Sequence, residues 1–352
     1  MPRVKSLAWG LALLLTAFVA VRAFVGDLFT VGSSSMVPTL LPGQRVVVLF
    51  DTSLPERGEV VVVRASEADP LVKRVVGLPG EELSITSAGD LLVDRERLDR
   101  AETELPLVPV FDLARAGWTP LWSAALPEAD RGGWTLPEDL TLETAIELTD
   151  GHLDPSGSWV AGEEVVGDLE LAVEGLELDP GATLGLDLRE GAERVRLEVS
   201  AEGLVLLRLT SLAGSGEGGP VLRTELGRVE EACAPGARVS LANLDDALLV
   251  RVDGRLVLRA ELGAASPGGA GPRAALDCVG GSAHLSGLRL ARDLHYTRRG
   301  RFAVDAPVRL GPDEVFLLGD ASGRSADSRE FGPVPLSELV GRVLGPLGAP
   351  RL

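Results

Sequence analysis

The sequence has few of the residues from which metal sites and disulfide scaffolds are built. Of its 352 residues, two are cysteine, Cys233 and Cys278, and three are histidine. Two cysteines exclude a cysteine-rich metal centre and a disulfide-dense scaffold. Outside the cytoplasm the two could form one disulfide, and the alternative is two separate buried thiols. Because His152, His284 and His295 lack the spacing of a zinc site, we expect no metal and no cofactor.

Positive charge and aromatic side chains are also scarce. The formal net charge is −18, and aromatic residues make up 4% of the chain. A protein that binds nucleic acid needs a basic surface to neutralise phosphates, so we exclude nucleic acid as a partner. With few aromatics, the core must consist mainly of Val, Leu and Ala. The 42 glycines and 23 prolines predict many turns, and therefore a mostly β protein.

The N-terminal region contains an apolar run that is long enough to cross a bilayer. Residues 7–25 carry a single charge, Arg22, and follow Arg3 and Lys5. A spanning helix needs about 20 apolar residues, whereas the apolar part of a cleaved signal peptide is shorter. We favour a retained anchor at residues 1–26, because a serine-rich motif begins only a few residues later. The positive residues then place the N-terminus in the cytoplasm and the rest of the chain outside it.

Beyond this anchor, the character of the sequence changes twice. Residues 27–98 and 294–352 contain short Val-rich runs of the kind that form buried strands. Residues 99–293 are acidic and Gly-rich, and their apolar and charged positions alternate as in strands with one solvated face. In this part Asp253-Gly254 predicts a two-residue hairpin turn. We predict a large β-sandwich-like domain inserted between two halves of a smaller β domain, with an unknown ligand.

Three short segments combine residue types that can support nucleophilic chemistry. Residues 31–40 place hydroxyl groups in a turn, residues 71–80 place Lys73 inside an apolar strand, and residues 318–329 are rich in Asp, Ser and Arg. Burial disfavours the charged form of a lysine, and a neutral lysine can act as the general base for a serine. Lowering a lysine pKa from about 10.4 to near neutrality requires roughly 4–5 kcal/mol, which burial can supply.

Together these segments resemble the motifs of type I (leader) signal peptidases, the membrane-bound Ser/Lys proteases. The matching boxes, in chain order, are Ser33-Ser34-Ser35-Met36-Val37-Pro38-Thr39-Leu40, Arg57-Gly58-Glu59, Lys73-Arg74 with Gly77, Pro79 and Gly80, and Gly319-Asp320 with Ser325, Asp327, Ser328 and Arg329. The resemblance covers roughly residues 1–98 and 294–352. It implies an N-terminal transmembrane helix followed by an antiparallel β catalytic domain. It also implies a single-pass protein of the cytoplasmic (inner) membrane, with that domain on the extracytoplasmic side.

The resemblance also implies a role for each matched residue. Ser35 is the nucleophile, Lys73 is its general base, and the Ser33 hydroxyl joins the Ser35 backbone N–H in an oxyanion hole. Ser325 is implied to form a hydrogen bond to the lysine. Asp327 and Arg329 are implied to support the site through a salt bridge. The residues implied to line shallow apolar pockets are Val31, Met36, Leu40 and Val72. Such pockets favour cleavage of exported preproteins after Ala-x-Ala, so the implied partners are signal peptides and the lipid bilayer.

Three departures from the family pattern keep other interpretations open. Gly32 replaces a usual proline, Ser34 replaces a usual glycine, and Ala321–Arg324 replaces a polar stretch, so we expect the loop contacts of the missing polar residues to be lost. One alternative is a LexA-type self-cleaving protein, which also places a lysine at a similar distance after Ser-Met but lacks the anchor and the last box. The other is a membrane-tethered binding protein whose peptidase site is weakened.

Overall fold

The computed structural model describes most of the chain after the N-terminal region. It covers residues 26–346 apart from 65–69, 87–88, 99–104, 106, 114–120, 125–132, 139, 146–147, 154–158, 161, 163, 192, 212–220, 246 and 263–269. The anchor expected at residues 1–26 therefore lies outside the described residues, except for Gly26, which begins the first strand. Among the helices of the described residues, none has the length and apolar character needed to cross a membrane.

The protein is mostly β, with antiparallel sheets, as its composition predicts. The first strands are β1 Gly26–Thr30, β2 Arg45–Leu49, β3 Val60–Val63, β4 Leu71–Gly77, β5 Glu82–Ile85, β6 Leu91–Val93 and β7 Glu96–Arg97. The next are β8 Val108–Asp112, β9 Trp134–Leu136, β10 Thr141–Glu143, β11 His152–Leu153, β12 Trp159–Val160, β13 Leu169–Leu178, β14 Thr183–Gly191, β15 Glu193–Ser200, β16 Gly203–Ser211 and β17 Val221–Val229. Then follow β18 Ala237–Leu244, β19 Ala247–Val252, β20 Arg255–Glu261, β21 Ala270–Val279, β22 Ala283–Leu285, β23 Gly287–Arg292, β24 Val308–Arg309, β25 Glu314–Leu318, β26 Val334–Pro335 and β27 Leu339–Pro346. The short helix α1 spans Ser328–Phe331.

The chain divides into two compact units. Among the described residues, the first unit contains residues 26–98, residue 105 and residues 296–346, and the second contains residues 107–295, apart from the gaps given above. In the first unit, one sheet has the strand order β1-β2-β27-β3-β4-β25-β26, and a smaller sheet has the order β24-β5-β6-β7.

The central strand β3 explains why the first unit contains uninterrupted valine runs. Val61 and Val63 belong to one apolar cluster, and Val62 belongs to another. Because successive side chains of a strand point to opposite faces, both faces of β3 are covered. A strand buried on both faces needs apolar residues at every position, which is why this one reads Val60-Val-Val-Val63 without alternation. β4, the next strand of the sheet, pairs with this buried strand along residues 71–74.

The second unit is built of two sheets that share one apolar core. One sheet has the order β10-β21-β14-β15-β16-β17, and the other has the order β20-β19-β18-β13-β22-β9, with β23 pairing with β13 and β8. Alternate residues of both sheets, such as Leu186 of β14 and Leu241 of β18, lie in the same cluster. The turn between β19 and β20 is the two-residue hairpin that the sequence predicts. Asp253 has φ 49° and Gly254 has φ 79°, the positive values that such a turn requires.

Both cysteines of the second unit are free thiols. Burial raises the pKa of Cys278 to about 11, and it also raises the pKa of Cys233. Of the two alternatives left open by the sequence, one disulfide or two separate thiols, the structure shows the two separate thiols. Cys278 lies in the apolar core, where it acts as a small hydrophobic side chain.

Candidate active site

The first unit brings Ser35 and Lys73 into direct contact. Lys73 Nζ lies 2.8 Å from Ser35 Oγ, and it also donates a hydrogen bond to the carbonyl oxygen of Val72 at 3.1 Å. Ser33 Oγ lies 3.2 Å from Ser35 Oγ. Lys73 is 2% exposed and Ser35 is 6% exposed. A buried amine within hydrogen-bond distance of a hydroxyl is the geometry that proton transfer between them requires.

The surroundings of Lys73 favour its neutral form. Lys73 lies on β4 directly opposite Val61 of β3, a residue that is itself buried. Burial lowers the pKa of the Lys73 amine below its usual value, while the negative charges of Asp327 and Asp320 partly oppose this shift. Desolvation thus has the larger effect, and the two carboxylates limit it.

The segment that carries Ser35 is held by the chain that follows β25. The backbone N–H of Ala321 donates to the carbonyl oxygen of Ser35 at 3.0 Å. Gly319 makes this approach possible, because a Cβ at this position would overlap the Ser325 hydroxyl and would lie 2.6 Å from the Ser35 carbonyl oxygen. The glycine of the last motif is therefore required by the close approach of two backbones.

Asp327 and Arg329 form a buried ion pair behind this contact. Arg329 donates to Asp327 through Nε at 2.9 Å and through Nη2 at 2.8 Å. The same carboxylate caps α1 and accepts a hydrogen bond from the backbone N–H of Gly319 at 3.1 Å. The pair therefore fixes the backbone that in turn holds Ser35.

A second buried ion pair joins Arg74 and Asp320, two residues of the matched boxes to which the sequence assigned no role. Arg74 donates to Asp320 through Nε at 2.8 Å and through Nη2 at 2.5 Å, and its Nη1 donates to the carbonyl oxygen of Gly58 at 2.6 Å. The Thr39 hydroxyl donates to the same Asp320 carboxylate. Three separate motifs thus meet at one carboxylate. The sequence could have indicated this contact, since Thr39, Arg74 and Asp320 each lie inside one of the four boxes.

The replaced stretch Ala321–Arg324 is tied to the site by contacts other than those of the family pattern. The Ser322 hydroxyl accepts hydrogen bonds from the Thr297 backbone N–H at 2.8 Å and from Arg329 Nη1 at 2.6 Å. Its carbonyl oxygen accepts from Arg329 Nη2 at 2.7 Å. The contacts of the missing polar residues stay a separate expectation, and in this chain Ser322 ties the loop to Thr297 and Arg329.

Ser325 does not form the hydrogen bond that the resemblance implies. Its hydroxyl is buried and has no hydrogen-bond partner among the described residues, so it does not bond to Lys73 here. The four residues expected to line substrate pockets do lie in one apolar cluster, namely Val31, Met36, Leu40 and Val72. Three of them are almost fully buried, and Val72 is the partly exposed one.

Comparison with known proteins agrees with the motif assignment. A family model described as "Signal peptidase, peptidase S26" matches residues 4–106 and 286–347. A probable signal peptidase I-2 from Synechocystis is 35% identical over 104 residues, which are 27% of this chain and 46% of that protein. A signal peptidase I from Leptolyngbya laminosa is 30% identical over 100 residues, which are 25% of this chain and 49% of that protein.

These matches span about half the length of the two relatives. Among solved structures, a carbohydrate-binding module from Bacillus subtilis is similar over 49% of this chain and 95% of its own, with 10% identity and a TM-score of 0.32. A score this low supports no statement about function. The resemblance to type I signal peptidases is confirmed for the two segments that flank residues 107–285.

Proposed function

We propose that this chain is a membrane-anchored endopeptidase that removes N-terminal signal peptides from exported preproteins, with Ser35 as nucleophile and Lys73 as general base. The observation that carries the proposal is the 2.8 Å contact between Lys73 Nζ and Ser35 Oγ. The match of the signal peptidase family model to residues 4–106 and 286–347 supports the same substrate class. Cleavage after Ala-x-Ala is part of the proposal.

The proposed reaction proceeds through an acyl-enzyme. Ser35 Oγ attacks the scissile carbonyl carbon while Lys73 Nζ takes the hydroxyl proton. The Ser33 hydroxyl and the Ser35 backbone N–H stabilise the negative charge on the carbonyl oxygen. The Lys73 ammonium then returns its proton to the leaving amine as the peptide bond breaks. A water molecule, deprotonated by Lys73, then attacks the ester carbon. The bond between that carbon and Ser35 Oγ breaks, Lys73 returns the proton to Ser35 Oγ, and the product leaves as a carboxylic acid that ionises in water.

The proposed location is the cytoplasmic (inner) membrane. A single N-terminal anchor would hold the protein in the lipid bilayer and leave the catalytic part on the extracytoplasmic side. This arrangement is supported by the apolar run at residues 7–25 and by Arg3 and Lys5 before it. It would place Ser35 close to the bilayer surface, where the end of a translocated signal peptide emerges.

The test is cleavage of a preprotein by the purified full-length chain in detergent. The substrate carries Ala-x-Ala before the cut, and a second substrate carries a bulky residue in place of the last alanine. We expect the first substrate to be cut at that bond and the second to be cut at least tenfold more slowly. Ser35→Ala and Lys73→Met should each abolish cleavage, because one removes the nucleophile and the other removes the base.

Ser34→Ala is the matched control, since it makes the same chemical change one residue away. Its side chain is only half buried, and we expect this variant to remain active. Full activity of either the Ser35 or the Lys73 variant contradicts the assigned roles. If the chain cuts only itself, the self-cleaving alternative is correct. If wild-type protein cuts neither itself nor the preprotein, the proposed peptidase activity is refuted.

A further inference from the structure

Three arginines of the second unit lie side by side across three adjacent strands. In the antiparallel register, Arg189 of β14 is directly opposite Arg194 of β15 on one side and Arg273 of β21 on the other. Their neighbours along the strands, such as Leu188, point into the core, so the three arginines project from the opposite face of the sheet. We call them the arginine row.

The arginine row is unusual because, among the described residues, only one of its three arginines, Arg194, has a carboxylate partner. Like charges directly opposite each other destabilise a sheet. Arg194 donates to Asp187 at 3.0 Å, and Arg273 donates to the Thr144 carbonyl oxygen at 2.9 Å. Arg189 has no hydrogen bond or ion pair with the side chains that the structure describes, and Arg273 has no carboxylate partner among them. The chain as a whole carries a net charge of −18, so the row is not part of a general basic surface.

Asp187, the acid that Arg194 contacts, is also bonded by a fourth arginine, Arg196. Arg196 donates to Asp187 at 2.5 Å, to Asp277 at 2.5 and 2.9 Å, and to Glu198 at 3.2 Å. It fits over Gly185, where a Cβ would overlap its guanidinium. This network holds Asp187 in place, with one oxygen toward Arg196 and the other toward Arg194. The acceptor beside the row is thus fixed before any ligand arrives.

A pocket of about 120 Å³ lies against the arginine row. All three arginines line it, together with Glu143 of β10 and Asp187. Glu143 lies opposite Ala275 of β21, so the small alanine side chain separates the two acids and leaves a depression between them. Glu143 forms no ion pair with any described side chain, although it lines the same pocket as the arginines. Two arginines without a carboxylate partner among the described residues, Arg189 and Arg273, therefore line one small space together with an acid that forms no ion pair there, Glu143.

The geometry points to a binding site for a hydroxylated carboxylate of the sugar-acid type. Two adjacent guanidiniums without carboxylate partners match one ligand carboxylate, which arginine binds through paired hydrogen bonds. Glu143 and Asp187 lie one row away, about 7 Å along the strands, and accept hydrogen bonds from ligand hydroxyls. A single hexuronic acid carries one carboxylate and several hydroxyl groups on the same sugar ring. Such a ligand could be a free sugar acid or a residue of an acidic glycan.

Calorimetric titration of the full-length protein in detergent tests this site with four probes. They are D-galacturonate, an oligogalacturonide, D-galactose as the neutral sugar, and sulfate as an anion without carbon-bound hydroxyls. We expect saturable binding of the two acids, with galactose and sulfate at least tenfold weaker. Tighter binding of the oligomer than of the monomer identifies a glycan as the source of the ligand, and equal or weaker binding identifies a free sugar acid.

Arg189→Gln separates ligand binding from stability. We expect this variant to bind galacturonate at least tenfold more weakly. Its thermal unfolding temperature should not fall, because the substitution removes repulsion and breaks no ion pair among the described residues. Arg255→Gln is the matched control, since Arg255 is exposed on β20 and does not line the pocket. The proposal is overturned if neither acid binds, if galactose or sulfate binds as tightly as galacturonate, or if Arg189→Gln binds as well as Arg255→Gln.

Discussion

Asp327→Asn should change both the stability of the first unit and the titration of Lys73. The Asp327 carboxylate accepts four hydrogen bonds: from Gly319 N, and from the backbone N, Nε and Nη2 of Arg329. Arg329 is 1% exposed, so an unpaired guanidinium at this position stays out of water. Because an amide can turn only one oxygen toward these donors, its NH₂ group would meet N–H groups of Arg329 or Gly319.

The size of the stability loss follows from the burial of the ion pair between Asp327 and Arg329. Removing one partner of a buried ion pair costs about 3–5 kcal/mol, because the remaining charge loses its compensation. We therefore expect the free energy of unfolding of Asp327→Asn to fall by about 3 kcal/mol or more, as measured by chemical denaturation. Glu330→Gln is the matched control. It makes the same change at an exposed neighbour and should cost less than about 0.5 kcal/mol.

The direction in which Asp327→Asn should shift the pKa of Lys73 can also be predicted. The negative charge of Asp327 raises the pKa of Lys73 and opposes the lowering caused by burial. Its removal should lower that pKa further, so the acid limb of the pH–activity profile should move to lower pH. The chain contains two lysines, Lys5 and Lys73, so NMR titration of protein labelled at lysine Cε resolves them, and Lys5→Arg assigns the signals. A raised Lys73 pKa in Asp327→Asn, or a stability loss no larger than that of Glu330→Gln, refutes this reasoning.

Two further variants test buried polar groups. Ser325→Ala should leave the free energy of unfolding unchanged or slightly higher, because the hydroxyl has no hydrogen-bond partner among the described residues and its burial is uncompensated. A clear loss of stability by chemical denaturation would show that the hydroxyl has a partner in solution. Asp168→Asn should stabilise the protein at pH 7 but not near pH 3. Burial, together with neighbouring carboxylates, raises the pKa of Asp168 well above its usual value, so its contribution to stability is present at low pH and is lost as the pH rises. The measurement is the thermal unfolding temperature of Asp168→Asn and of the wild-type protein at pH 7 and near pH 3. An equal change in that temperature at both pH values would contradict the raised pKa of Asp168.

Much of the local structure could be predicted from the sequence because short-range rules govern it. Val60–Val63 is a continuous β-branched run, and it forms a strand that is buried on both faces. Asp253-Gly254 forms the tight turn that only residues tolerant of positive φ allow. The contact between Ser35 and Lys73 was expected from the resemblance, since the spacing of the two residues alone does not place them together.

Features that depend on strand pairing could not be predicted in this way. Arg74 and Asp320 are 246 residues apart, and only the pairing of β4 with β25 brings them together. The arginine row likewise requires a register between β14 and β21, which neither segment determines alone. A shift of one residue would turn Arg273 toward the core, so the row depends on the apolar pattern of the whole sheet. Alternation predicts which face a side chain occupies, but it does not predict its neighbours across strands.

The choice between lysine and arginine at the site has a physical reason. The chain contains 34 lysine and arginine residues, and lysine occurs only at positions 5 and 73. Arginine stays charged at all accessible pH values, which suits Arg74 and Arg329, each held by a buried carboxylate. Lys73 forms no ion pair with the described residues, and its hydrogen-bond partners are a hydroxyl and a carbonyl oxygen. The two arginines occupy the nearby carboxylates, so the amine is stabilised by none of them directly and can give up its proton. An arginine in place of Lys73 would remain protonated and could not accept a proton from Ser35.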